Sequence, residues 1–321
     1  MALLLVLVIL AAVAVILLQR NIVYDETGVP RLDVPWQEEQ IVEEETTPEL
    51  DLVIQEPAVV VDEVHAFRLP VAQLTAAGVE AALESADPIC TAVVVPLKDQ
   101  TGTVYFQAKA AVNGSVNVSE ETTPVLESLL ADETYYAVAE LQCFHDPKAA
   151  NADVDGMGLK NTGGFIFYDG NNSQWMDPAK PAARQYLCDL ATEAATMGFD
   201  EILLTGFGYP TEGKLDKIAY GETAKDETLL TFLKELRAEL EPYGVALSVE
   251  LPAAVITDGQ EEASGLVLAD IASVADRIYA PVLQEEAEAL TAAVKAVRED
   301  VVFVPVLAEE TASLTGNFLL A

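Results

Sequence analysis

The stretch Ala182-Ala-Arg-Gln-Tyr-Leu-Cys-Asp-Leu-Ala-Thr-Glu-Ala-Ala-Thr-Met197, then Gly198-Phe-Asp, then Glu201-Ile-Leu-Leu-Thr205, decides the fold class. Apolar residues recur at helical spacing over 182–197, a glycine stands where the helix should end, and 201–205 reads as a short strand. Working outward, the same rhythm fills the chain from residue 65 onward. Short apolar runs at 65–69, 92–97, 136–143, 246–251, 277–281, 301–307 and 317–321 read as strands. Helical periodicity separates them at 71–84, 123–130, 227–240, 266–275 and 285–297, with a second turn glycine at Gly244. Eight strands alternating with helices over residues 65–321 predict an α/β fold, a (β/α)8 TIM-type barrel. The seventh crossover, 308–316, is too short for a full helix, so a thin last quarter is expected.

Ahead of the barrel the chain changes character twice. Residues 2–18 are an unbroken apolar run of 17, closed by Gln19-Arg20-Asn21. As a helix this run reaches ~25 Å, the short end of a bilayer span. No small-x-small cleavage site follows it, which favours a retained anchor over a cleaved signal peptide. Residues 21–64 hold 13 acidic residues against Arg31, with prolines at 30, 35, 48 and 57. Charge repulsion and proline stiffness predict an extended, disordered stalk. The expected organisation is a transmembrane anchor over 1–20, an acidic linker over 21–64 and the barrel over 65–321. Long domains translocate largely regardless of flanking charge, so a single-pass cell-membrane protein with an extracellular barrel is expected.

Charge narrows the partners. The chain carries 17 Lys+Arg against 53 Asp+Glu, a net charge of −36, and residues 65–321 alone hold 15 basic against 40 acidic residues. A polyanion repels the phosphate backbone, so nucleic acid is excluded as a partner. Three cysteines (Cys90, Cys143, Cys188) match no short-range metal spacing, and two histidines make a His-rich metal site improbable. No metal or cofactor is expected.

In a barrel of this kind the chemistry sits at the C-terminal ends of the strands. Those ends carry Arg68, then Lys98 and Asp99, then Glu140, Gln142, His145 and Asp146. Thr205, Gly206 and Tyr209 follow, then Glu250, Tyr279, Gln284 and Glu309. Carboxylates serve as acid, base or nucleophile and aromatic faces pack on sugar rings, so the set suits a carbohydrate site. Ala246, Ser248 and Glu250 share one strand face, which should aim Glu250 into the mouth. The long connection 146–180 carries Trp175 and is Gly- and Asn-rich, as binding loops often are. Structural roles compete for several of these residues. Lys98 and Asp99 open a turn before Gly102, Glu140 needs a partner such as Lys98, and His145 fits a loop hydrogen bond.

The residues also carry a resemblance. Trp175-Met-Asp-Pro, Arg184-Gln-Tyr186 and Ala194-Ala-Thr-Met-Gly-Phe-Asp-Glu-Ile202 resemble a bacterial glycosyl hydrolase domain of unknown function, distantly related to the alpha-amylase-type barrels. Ala92-Val-Val-Val-Pro-Leu-Lys98-Asp99, Phe144-His-Asp146-Pro147, Gly244-Val-Ala-Leu-Ser-Val-Glu250 and Asp276-Arg-Ile-Tyr-Ala-Pro281 agree with it. The likeness covers nearly all of 65–321. The departures fall on strand four. Where the family has Phe-Asp-Tyr-Val-Arg-Phe-Pro, this chain reads Leu204-Thr-Gly-Phe-Gly-Tyr-Pro210. Thr205 stands in place of the aspartate that the resemblance implies as nucleophile, and Gly208 in place of its arginine. Pro96 takes the place of a further aspartate on strand two. Glu250 keeps an acid on strand five, where such barrels often hold the general acid/base.

The expected site therefore has Glu250 as catalytic acid/base, with Asp99 or Glu140 as second carboxylate. Lys98, His145, Asp146, Trp175, Tyr209 and Tyr279 are expected to bind substrate, a polysaccharide or cell-wall glycan. Two functions compete: a membrane-anchored glycoside hydrolase, and a catalytically degenerate barrel that binds glycan or scaffolds the envelope. A carboxyl within about 10 Å of Glu250 keeps the first alive.

Overall fold

The computed structural model describes residues 22–24, 30–32, 63–308 and 316–321. The apolar run 2–18, most of the acidic linker and Glu309 lie outside the described residues. Among the described residues no helix is long and apolar enough to cross a membrane. The chain divides into two units, Met1–Ile54 and Gln55–Ala321. In the first, two three-residue strands, Ile22–Tyr24 and Pro30–Leu32, pair antiparallel within the acidic linker.

The second unit holds eight parallel strands closed into a barrel. They are β1 (His65–Arg68), β2 (Ala92–Lys98), β3 (Tyr136–Gln142) and β4 (Glu201–Thr205). The ring continues with β5 (Ala246–Glu250), β6 (Arg277–Pro281), β7 (Val302–Leu307) and β8 (Phe318–Leu320). Each strand pairs with the next, and β8 closes on β1 through Phe318 opposite His65. All eight predicted strands appear within a residue or so of their expected ends.

Outside the ring lie α1 (Ala76–Ser85), α2 (Thr122–Leu130), α3 (Pro147–Ala152) and α4 (Pro181–Met197). After them come α5 (Lys225–Leu240), α6 (Ala253–Asp258), α7 (Leu268–Ala272) and α8 (Ala287–Val297). α4 follows the expected pattern, with Ala183, Leu187, Leu190, Ala191 and Ala194 buried and Gly198 at φ 105° ending the helix. That positive φ is left-handed, which a side chain would resist. Two expectations need correction. The helix expected over 71–84 starts late, because the Thr75 hydroxyl accepts from the Gly78 amide and caps α1 there. The helix expected over 266–275 shortens to α7, because Leu266–Val267 pairs antiparallel with Gln260–Glu261.

The core forms two layers, as strand alternation requires. One face of each strand packs on the helices, as with Val93, Val95, Ala139, Leu204 and Val249. The other faces the lumen, where Ala66, Val94, Val138, Leu203, Tyr279 and Val304 pack together. Toward the N-terminal end, the buried Glu201 carboxylate meets Arg277 Nη1 at 2.7 Å and the Tyr279 hydroxyl at 2.9 Å. The same guanidinium donates to the Tyr136 hydroxyl at 3.0 Å. An ionised side chain in the lumen stays charged only with such partners.

Candidate active site

Lumen-facing residues at the C-terminal ends of the strands set the site. Arg68 ends β1, Glu140 lies two residues before the end of β3 and Glu250 ends β5. Arg68 Nε lies 2.8 Å from Glu140 Oε2, and its Nη2 lies 3.2 Å from Glu250 Oε2. One planar guanidinium thus touches both carboxylates and holds them within roughly 8 Å of each other. Burial pushes the Glu140 carboxyl up from its ordinary value, Arg68 opposes that, and Glu250 adds to it by like-charge repulsion.

Glu250 also lines a cavity of about 420 Å³ at the mouth, together with Trp175, Gly206, Tyr209, Pro281 and residues of the 261–266 turn. Trp175 thus lies near the mouth, on the loop after β3. Its indole Nε1 donates to Asp169 Oδ2 at 2.8 Å, and its ring stacks on His145 at 4.5 Å with 4° between planes. His145 Nε2 shares a 2.7 Å hydrogen bond with Ser173 Oγ. Burial draws the imidazole below its ordinary value and Asp169 pulls the other way. Tyr209 is buried, packs edge-on against Tyr220 and shows part of its surface to the cavity.

The other expected residues lie elsewhere. Lys98 does not serve Glu140. In β2, Pro96 is followed by a bulge, so Lys98 falls opposite Leu141, outside the lumen-facing register. Its buried ammonium pairs with the buried Asp146 at 2.9 Å and donates to the Gln142 carbonyl at 2.7 Å. Asp146 also caps α3 by accepting from the Ala149 amide. Both are therefore structural, not substrate contacts. Asp99 organises its own turn, accepting from Thr101, Thr103 and the Tyr105 hydroxyl. Burial raises its carboxyl, but these bonds outweigh burial and leave it below the ordinary value. Tyr279 is fully buried with its hydroxyl on Glu201, so it fills the lumen rather than meeting substrate. The three cysteines are buried, and burial pushes the Cys143 and Cys188 thiols up to about 12.

Strand four carries the departures. The Thr205 hydroxyl donates to Gln142 Oε1 at 3.1 Å, so the position of the expected aspartate is an uncharged hydrogen-bond pair. Gly206 sits at φ 55° with Gln142 Nε2 only 1.7 Å from where a Cβ would stand. Any side chain there would displace the amide. Arg68 is placed at a strand end by the sequence but given no role in the expected site. Its signal was its lumen-facing parity two residues after Ala66 at a strand end.

A family model described as "Putative glycosyl hydrolase domain" matches residues 75–283. Among solved structures, the chain is similar to the glycoside hydrolase domain of PgaB (BpsB) from Bordetella bronchiseptica. That likeness has a TM-score of 0.54 at 15% identity, over 77% of this chain and 84% of that one. A hypothetical protein from Ruminiclostridium thermocellum ATCC 27405 aligns at 24% identity and TM-score 0.49, over 57% of this chain and 96% of that one. The GH20 beta-N-acetylhexosaminidase of Streptomyces coelicolor A3(2) aligns at 12% identity and TM-score 0.48, over 78% of this chain. The chain spans 48% of that enzyme's length. No curated protein matches the chain.

Proposed function

We propose that this chain, which belongs to the family described as "Putative glycosyl hydrolase domain", hydrolyses a polysaccharide or cell-wall glycan with Glu140 and Glu250 as its two carboxyl groups. The observation that carries this reading is the single Arg68 guanidinium touching both carboxylates at the barrel mouth. Glycosidases set their pair about 5–5.5 Å apart for retention or about 6.5–9.5 Å for inversion, and the shared guanidinium caps the separation of this pair below the upper end of that range. The roles follow from the environments. Glu140, whose proton affinity burial raises, is the general acid that protonates the leaving oxygen. Glu250, facing the cavity, is the base or nucleophile on the other side of the bond. This reverses the acid/base role expected for Glu250. Trp175 supplies a flat face for a sugar ring in the same cavity.

One observation favours the second reading, a glycan-binding barrel without turnover: the Thr205–Gln142 pair in place of a strand-four carboxylate. Incubation with a glycan panel, scored for new reducing ends, separates the two. The hydrolase reading expects release by the parent chain and none by Glu250→Gln, with binding retained; a parent that binds and never cleaves is the degenerate barrel. The same proposal places the barrel outside the cell, anchored through residues 2–18. Accessibility of the barrel to protease added to intact cells tests that placement.

A further inference from the structure

Phe165 is the most exposed large apolar side chain among the described residues, at 74%, and Tyr168 on the same loop is 47% exposed. Leaving such rings in water forgoes their burial, and clustered exposed aromatic surface marks a binding surface. The segment that carries them is pinned. Gly158 bridges Met176, Lys160 bridges Ile166 and Asn161 bridges Ile218. Asn161 Oδ1 accepts from the amides of Gly163 and Phe165, which fixes the turn that projects the phenyl ring. Tyr168 directly precedes Asp169, the residue that holds the Trp175 indole in the Glu250 cavity. Three aromatic residues thus share one hydrogen-bonded scaffold on the C-terminal face of the barrel, the first inside the mouth and the other two exposed.

From this continuity we propose that Trp175, Tyr168 and Phe165 form an aromatic track for a glycan chain several sugar units long, uncharged or cationic. The inference rests on the mouth being a glycan site. Sugar rings present flat C–H faces that stack on such side chains. A polyanionic glycan does not fit, because residues 65–321 carry 15 basic against 40 acidic residues. The track makes the substrate a polymer rather than a terminal disaccharide, since stacking positions outside the cavity gain nothing from a short ligand.

Binding of the full chain carrying Glu250→Gln tests this without turnover. The probes are neutral glucan and chitin oligomers of two and six units, chitosan, and polygalacturonate. The expected result is a hexamer or chitosan bound more tightly than the dimer, with polygalacturonate unbound. Adding Phe165→Ala and Tyr168→Ala should weaken the long ligand about tenfold while leaving the dimer unchanged. Both positions are exposed, so the variants should keep the parent's melting temperature, which is checked in parallel. Equal affinity for long ligands with and without the two rings overturns the track. So does preference for the polyanion, no binding of any length, or loss of self-association as the sole effect of the variants. Cleavage of glycans by the parent without length dependence would remove the track and leave the catalytic reading standing.

Discussion

Arg68 lies 2.8 Å from Glu140 and 3.2 Å from Glu250, joining β1 to β3 and β5 across the barrel mouth. In the family this chain belongs to, the resemblance places a cation and a carboxylate together on strand four. Here Gly208 has no side chain and Thr205 is bonded to Gln142. The cation comes instead from strand one, and it acts on two acids at once. A second partner for Glu250 therefore exists despite the change on strand four.

Replacing Arg68 with Met should leave the two carboxylates facing each other with no counter-charge. Glu140, already raised by burial, then rises further, because the cation that lowers it is gone. Turnover should fall about 10²-fold. The alkaline limb of the kcat/KM profile should move to higher pH, which a purely structural role for Arg68 would not produce. Arg68→Lys keeps the charge but not the two-point span, and should fall between.

Lys98→Met tests the reassignment of Lys98 from substrate to fold. It leaves the buried Asp146 carboxylate without its counter-charge. Removing one partner of such a pair costs about 3–5 kcal/mol. Urea unfolding should show that loss with the slope unchanged. A fully stable variant with defective substrate binding would return Lys98 to the site.

His145 and Trp175 report on each other. Burial holds the imidazole below 6.5, so it is neutral against the indole near neutral pH. A group whose folded value is depressed contributes stability present above its unfolded value and lost as pH falls through the folded one. In a Trp36→Phe background, Trp175 is the one remaining tryptophan. Its emission should titrate with a midpoint below 6.5, and His145→Gln should abolish that titration. Stability should decline over the same window, read as a falling melting temperature.

The strand–helix rhythm is enough to place the barrel, because each apolar run is short, two-sided and followed by a turn residue. Glu201–Thr205 and Arg277–Pro281 fall on their expected bounds. Glu250 reaches the mouth by the alternation of Ala246, Ser248 and Glu250. What stays illegible depends on contacts between distant segments. The bulge after Pro96 shifts the parity of Lys98, so counting alternate residues points it at the wrong carboxylate. Tyr279 is the middle residue of β6 rather than its end, and its length carries the hydroxyl to Glu201 toward the N-terminal end of the barrel. The six-residue α6 is too short to show a helical period.

The two carboxylates should separate by their dependence on the leaving group. If Glu140 is the acid, its role is to protonate the departing oxygen, and it acts only while protonated. Burial raises its value above the ordinary glutamate value of 4.5, so activity should fall as pH rises through that higher value. Glu140→Gln cannot give up a proton. Turnover of an ordinary glycan should drop about 10²–10⁴-fold, with the alkaline limb of the profile erased. An aryl glycoside whose phenolate leaves without protonation should be hydrolysed nearly as before, because the lost proton is no longer needed. Glu250→Gln should abolish both reactions, since base or nucleophile is needed whatever the leaving group. Measuring kcat on both substrates for both variants settles the assignment. The opposite pattern, rescue of Glu250→Gln alone by the activated glycoside, would make Glu250 the acid and Glu140 its partner.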